Sequence, residues 1–204
     1  ASQLGWQEWS TSWEDVVHRP DIHVVDIATP GNSHLPICVA AAKAGKAILC
    51  EKPLANTLAE SRKMLDAVQR NQVPHMICHN YRKVPAVTLA HQLINKGTLG
   101  QIRHFRGTYL QDWAMDPQLP LLWRFDKKKS GTGTLGDLGS HIIDLARFLV
   151  GEIRGVSALL ETFIKERPLL NHPTKKGRVT VDDASLTLVR FANGAVGTIE
   201  ASRF

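Results

Sequence analysis

The sequence predicts an α/β protein in two parts: a parallel sheet over residues 1–79, then an α+β domain over residues 80–204 with a mostly antiparallel, open sheet. Three observations predict it. Between residues 22 and 80, short runs rich in β-branched residues alternate with helix-like segments across short loops. That order of strand, helix, strand, helix, strand builds a right-handed parallel sheet. Beyond Tyr81 the runs lengthen and alternate in polarity, as in a sheet with one open face. Asn193 and Gly194 then join two of those runs as a hairpin.

Taken in order, residues 12–19 read as a short helix opened by Ser10, Thr11 or Ser12, with the acids Glu14 and Asp15 in its first turn and Pro20 at its end. Residues 22–28, IHVVDIA, lie between Pro20 and Pro30 and read as a buried parallel strand. TPGNSH follows as a loop. Residues 35–44 form a helix stopped by Gly45, and residues 47–50 a second strand with Glu51, Lys52 and Pro53 at its carboxyl end. Thr57 and Glu60 make a capping box for a third helix, with Met64, Leu65 and Val68 as its apolar face and an end near Asn71. Residues 73–80 complete the sheet. In the second part, residues 85–95 read as a helix closed by Gly97, and residues 102–113, 156–165, 183–191 and 195–203 as strands. The Asn193-Gly194 pair predicts a type I′ turn.

At 204 residues, with 43% hydrophobic and 22% charged, the chain has an ordinary globular composition. No apolar run approaches the ~20 residues of a membrane helix. The polar, tryptophan-rich start lacks the basic and apolar regions of a secretory leader. A cytoplasmic location and no membrane partner are therefore expected. Cys38, Cys50 and Cys78 are odd in number and sit in apolar segments, which suits reduced core thiols. The net charge of +6 raises nucleic acid as a partner. Its distribution argues against one: Lys127 to Lys129 and the group Lys175, Lys176 and Arg178 are the only tight basic clusters. Neither is interleaved with stacking aromatics, so both read as solvated loops.

Residues 131–149, GTGTLGDLGSHIIDLARFL, organise the second part. Gly131, Gly133 and Gly136 match the GxGxxG dinucleotide fingerprint, but that turn needs a strand before it, and RFDKKKS is polar and charged. The glycines are expected instead to let the backbone pass close to something bound above Asp137 and His141. Asp137, His141 and Asp144 fall at i, i+4 and i+7, on one side of a helix, beside an apolar stripe of Leu138, Ile142, Leu145 and Leu149. Such a set can hold a divalent ion, but a further ligand is wanting. On a strand Cys78 faces away from His75 and His79, so no metal is expected. Asp144 reads as a buried carboxylate that holds a neighbouring loop.

Residues 26–55, with TPGNSH and AGKAILCEKPL, resemble the second half of the nucleotide domain of the Gfo/Idh/MocA oxidoreductases. GTLGDLGSHIIDL, residues 133–145, resembles that family's DxGxHxxD helix. The two motifs stand in the family's order, and the resemblance covers essentially the whole chain. It implies an incomplete Rossmann-type parallel sheet, then a domain that binds substrate and forms oligomers. It also implies an NAD- or NADP-dependent oxidoreductase acting on the secondary alcohol or ketone of a sugar or cyclic polyol such as inositol. Lys52, Asp137 and His141 become the catalytic set. A histidine that titrates near neutrality suits the proton transfer that accompanies hydride loss, a cationic lysine polarises the oxygen, and the aspartate orients and balances them.

For the cofactor, the resemblance implies Thr29, Pro30, Asn32, His34, Glu51 and Lys52 near the nicotinamide ribose, with Asn80 and Arg82 lining the same cleft. Trp123 and Arg124 match a Trp-Arg pair near the nicotinamide in relatives, and Tyr109 and Trp113 read as core aromatics or as a sugar-site lining. Relatives open with a strand, a GxGxxG turn and a residue that selects NAD or NADP, and they continue past the last strand here. The chain thus reads as an internal fragment, inactive alone, of a homodimer or homotetramer. The alternative is a dinucleotide-binding sensor of the same fold that performs no catalysis.

Overall fold

A computed structural model describes residue 3 and residues 5–204, and these fall into two compact units that divide between Cys78 and His79. In the first unit, α1 (Trp13–His18) is capped by the Ser12 side chain, which accepts from the Asp15 N–H. There follow β1 (Val24–Ile27), α2 (His34–Lys43), β2 (Ala47–Cys50), α3 (Leu58–Arg70) and β3 (His75–Ile77). The three strands lie in the order β1-β2-β3, all parallel, with Val25 level with Ile48 and Leu49 level with Met76. Short helical connections return the chain to the same end of the sheet each time, which brings every strand's carboxyl end to one edge.

The core of this unit joins Val25 and Ile27 of β1, Ile37, Cys38 and Ala41 of α2, Ile48 and Cys50 of β2, and Met64 and Val68 of α3. Leu65, expected on the apolar face of α3, is instead exposed. Thr57 and Glu60 form the reciprocal capping box at the start of α3. Thr57→Ala leaves the Glu60 N–H without its acceptor and is expected to cost about 1 kcal/mol, read as a lower urea midpoint at unchanged m-value.

Cys38 and Cys50 are free thiols in this core. Burial pushes Cys38 up to about 11, and burial first, then neighbouring charge, pushes Cys50 up to about 12 from 9.0. Both are expected to resist iodoacetamide in the native protein at about pH 8 and to react once it is unfolded. Because the folded-state values are raised, the thiols' contribution to stability is intact below pH 9.0 and is lost as pH climbs towards about 12.

The second unit contains α4 (Pro85–Asn95), β4 (His104–Leu110), α5 (Lys127–Ser130), α6 (Ser140–Leu149), β5 (Ile153–Glu161), β6 (Glu166–Leu169), β7 (His172–Arg178), β8 (Ala184–Phe191) and β9 (Val196–Ser202). Its main sheet has the order β4-β9-β8-β5, in which β4 and β9 are parallel and the other pairs antiparallel. Alternation along β4 turns Phe105 and Tyr109 to the covered face, where they meet Ile142 and Ala146 of α6 and Val189, Phe191 and Ile199 of the sheet. On the opposite face Leu159, Leu186 and Leu188 remain exposed.

Several local expectations need correction. The turn between β8 and β9 is not type I′. Gly194 has φ +90, whereas the only non-glycine residue of positive φ among the described residues is Gln72. Asn193 therefore keeps ordinary backbone, and Gly194 alone takes the left-handed position, as in a type I turn closed by a glycine bulge. The Lys175, Lys176 and Arg178 group lies on β7, paired with β6 in a hairpin the sequence did not announce. Lys127 to Lys129 form α5, whose first turn is capped by the Asp126 carboxylate accepting from the Lys128 N–H.

Candidate active site

In the first unit, the carboxyl ends of β1 and β2 gather Thr29 to His34 and Glu51 to Leu54 at one edge. The buried His34 ring holds these loops together, its Nε2 at 2.7 Å from the Thr29 carbonyl and its Nδ1 at 3.1 Å from the Leu54 carbonyl. This places His34 behind the loops, while Thr29, Pro30 and Asn32 are exposed in front. Ser33 Oγ lies 2.7 Å from both Thr29 Oγ1 and the Pro30 carbonyl, which ties down the turn between them. The Glu51 N–H bonds to the Ile27 carbonyl, and the Glu51 carboxylate accepts from the Lys52 N–H at 3.1 Å. Lys52 thus begins a loop anchored on the central strand.

In the second unit the sequence motif resolves into two pieces. Leu135–Gly139 is a π-helical turn and α6 begins at Ser140. Asp137 therefore lies on the π-helical turn, one element before the α-helix that carries His141. His141 and Asp144 stay on the α-helix, and both are buried. The apolar stripe shifts accordingly: Leu138, Ile142 and Ala146 are buried, and Leu145 and Leu149 only half so.

Gly133, before this turn, lets the backbone approach another part of the protein. A Cβ at Gly133 would overlap the backbone of Asp182. The Asp182 carboxylate accepts from the Gly133 N–H at 2.8 Å and from the Leu135 N–H at 2.7 Å, and its carbonyl accepts from the Thr134 N–H at 3.0 Å. Orphan donors at the start of the helix are satisfied, and a negative charge faces its positive end. Thr134 Oγ1 donates to the Asp183 carbonyl at 2.9 Å, so two consecutive aspartates clamp the entrance of the motif. The Asp183 carboxylate is fully buried and accepts from the N–H groups of Phe163 and Ile164, and burial raises its pKa.

Around His141 the structure assembles residues from distant segments. The Tyr81 ring stacks on the imidazole, with centroids 4.1 Å apart and planes 15° from parallel. Tyr81 and Tyr109 share a hydrogen bond of 2.9 Å between their hydroxyls, and Gln111 Nε2 donates to Tyr109 at 3.3 Å. That bond, and then burial, push Tyr81 up to about 12, so it stays a neutral phenol. Arg82 donates to both Asp144 oxygens, at 2.8 and 2.6 Å, and lies over the Phe148 ring. The bonds to Asp144 raise the Arg82 pKa. Asp144 therefore holds the Asn80–Lys83 turn, and Arg82 is committed to α6. Asn80 is exposed at the start of that turn. Arg124 stacks on its neighbour Trp123, 4.5 Å from the ring centroid, within the turn Trp123–Phe125.

Tyr81 and Asp182 carry no periodic or motif signal, and only a fold that packs their segments against the helix exposes their roles. Arg203, 66 residues from Asp137, belongs with them, its Nη2 lying 3.4 Å from Asp137 Oδ2. Among the described residues no group of three or more His, Cys, Asp or Glu is placed to hold a metal ion, and no helix is long and apolar enough to cross a membrane.

The first unit thus has a loop-lined carboxyl edge, the place where parallel α/β sheets hold a ligand, and the second carries a buried histidine on the helix packed against its open sheet. Residues 1–79 match the family model of an oxidoreductase family with an NAD-binding Rossmann fold, and residues 87–204 match the GFO/IDH/MocA C-terminal domain. The chain belongs to the GFO/IDH/MocA family of oxidoreductases.

It is 50% identical to a levoglucosan dehydrogenase of Pseudarthrobacter phenanthrenivorans, with 100% of this chain and 55% of the relative covered. It is 33% identical to the scyllo-inositol 2-dehydrogenase (NAD(+)) of Bacillus subtilis, again over 100% of this chain and 55% of the relative. Among solved structures, a levoglucosan dehydrogenase in complex with NADH and L-sorbose superimposes with a TM-score of 0.96 at 53% identity, covering 100% of this chain and 54% of that one. The chain thus spans about half the length of the curated relatives it matches.

Proposed function

We propose that the whole protein is an NAD- or NADP-dependent dehydrogenase that moves a hydride between nicotinamide and the secondary alcohol or ketone carbon of a sugar or cyclic polyol. The observation that carries this reading is the buried His141 imidazole, stacked on Tyr81 at the head of a helix entered through Asp137. The names of relatives, levoglucosan and scyllo-inositol dehydrogenases, support the substrate class. The exposed Thr29, Pro30 and Asn32 at the carboxyl edge of the parallel sheet fit a hydroxyl-rich ribose. With Glu51 and Lys52 they would hold the dinucleotide, while His34 orders their loops from behind. Asn80, Trp123 and Arg124 are assigned to the cofactor as well, and Arg82 serves it through Asp144.

When bound, the nicotinamide supplies the hydride chemistry. His141 accepts the alcohol proton during oxidation and returns it during reduction. Lys52 donates to the reacting oxygen and stabilises its developing negative charge, and Asp137 balances the positive groups. The neutral Tyr81 face fixes the plane of the imidazole. The exposed Leu159, Leu186 and Leu188 face of the second sheet fits a second copy, in a dimer or tetramer. Buried free thiols agree with the reducing cytoplasm.

The reading is tested by assaying the whole protein with NAD and with NADP against levoglucosan, scyllo-inositol and L-sorbose. Turnover of one or more is expected. Tight dinucleotide binding with no turnover on any of them would instead identify a sensor.

A further inference from the structure

We propose that Arg203 is the positioning residue of Asp137, a rigid buried cation that fixes the direction in which the Asp137 carboxylate points. The proposal rests on the catalytic reading of Asp137. Arg203 is 1% exposed, although arginine is among the residues least often buried. A guanidinium removed from water needs a compensating anion, and the side-chain bond it makes is to Asp137 Oδ2, at 3.4 Å. Asp182 and Asp183 add longer-range attraction, and Arg167, the other fully buried arginine, repels it.

Both ends of Arg203 are held. Its N–H bonds to the Asp183 carbonyl at 3.1 Å, and its own carbonyl accepts from the Ala114 N–H at 3.3 Å. The guanidinium lies over Trp113, 5.0 Å from the ring centroid, and at 5.8 Å from that of Phe125. Arg167 also lies over Phe125, at 4.3 Å, and its Nη groups donate to the carbonyls of Ala114 and Asp116. Packed against two adjoining rings, whose centroids are 5.5 Å apart, and bonded at its backbone, the guanidinium has little freedom left. Its target sits on the π-helical turn Leu135–Gly139, outside the regular α-helix. Asp182 clamps the entrance of that turn through backbone bonds, and Arg203 supplies what that clamp does not, a hold on the carboxylate itself. A lysine keeps the charge but cannot stack as a plane.

The test is steady-state kinetics on the whole protein with the sugar or polyol that turns over, for Arg203→Met, Arg203→Lys, Asp137→Asn and the double variant R203M/D137N. Misaligning a catalytic group by about 1 Å costs up to ~100-fold, so R203M is expected to lower kcat roughly 10- to 100-fold. The KM for the oxidised dinucleotide that supports turnover should stay within about 2-fold of the parent, and in the D137N background the same change should remove less than about 2-fold more. R203K should fold and recover part of the lost kcat.

A full R203M penalty in the D137N background, or a wild-type kcat in R203M or R203K, would overturn the proposal. So would failure of both single Arg203 variants to fold, which would leave Arg203 a purely structural residue. If D137N alone keeps the wild-type kcat, the catalytic reading of Asp137 has failed, and the role given to Arg203 falls with it.

Discussion

His141→Gln is expected to lower kcat by about 10²- to 10⁴-fold in the whole protein, the usual contribution of a positioned general acid or base. The KM for the dinucleotide should hardly change, because the groups assigned to the cofactor lie on the loops after β1 and β2 and on the 80–82 and 123–124 turns. Glutamine keeps a polar side chain of similar reach but cannot take up the alcohol proton. It also loses the ring that stacks on Tyr81 at 4.1 Å. The loss should therefore appear equally in kcat and kcat/KM, the pattern of an interaction made in the transition state. A variant that kept more than about a tenth of the parent kcat would exclude His141 as the proton-transfer group.

Gly133→Ala is expected to have the largest effect on stability, about 3 kcal/mol, from overlap with neighbouring atoms that cannot move. The added methyl would occupy the place of the Asp182 backbone, not of a flexible side-chain end. Relief requires the Asp182 segment to withdraw, which breaks the bonds from the Gly133, Thr134 and Leu135 N–H groups together. Thermal unfolding should show a midpoint lower by roughly 6–12 °C, on the scale of 2–4 °C per kcal/mol for a domain of this size. Activity should fall further than stability, because the same bonds set the start of the turn that carries Asp137. An unchanged midpoint would show that the Asp182 clamp is not tight.

Much of this molecule was legible before any coordinates. The α3 capping box, the bounds of β2 and α4 and the parallel order of the first sheet all follow from local rules of capping, branching and punctuation, while the α1 cap, open among Ser10, Thr11 and Ser12, falls to Ser12. Asp144 too was readable as a buried carboxylate holding a loop, and its partner is Arg82. The β6–β7 hairpin was not legible. Pro168 and Pro173 argue against strands, and only in a two-stranded ribbon, where every strand is an edge, does the missing N–H do no harm.

The sequence by itself determined which residue types are present and in what local frame: a histidine on an amphipathic helix, a lysine just beyond a buried strand, glycines ahead of an aspartate. Tertiary structure alone decided what those glycines are for, where Asp137 points and what steadies His141. The partners that answer these questions, Asp182, Arg203 and Tyr81, lie 49 to 66 residues from the groups they serve. Local periodicity and capping carry no information over such separations. Only burial does, because it obliges each withdrawn charge and each crowded backbone group to find a particular neighbour.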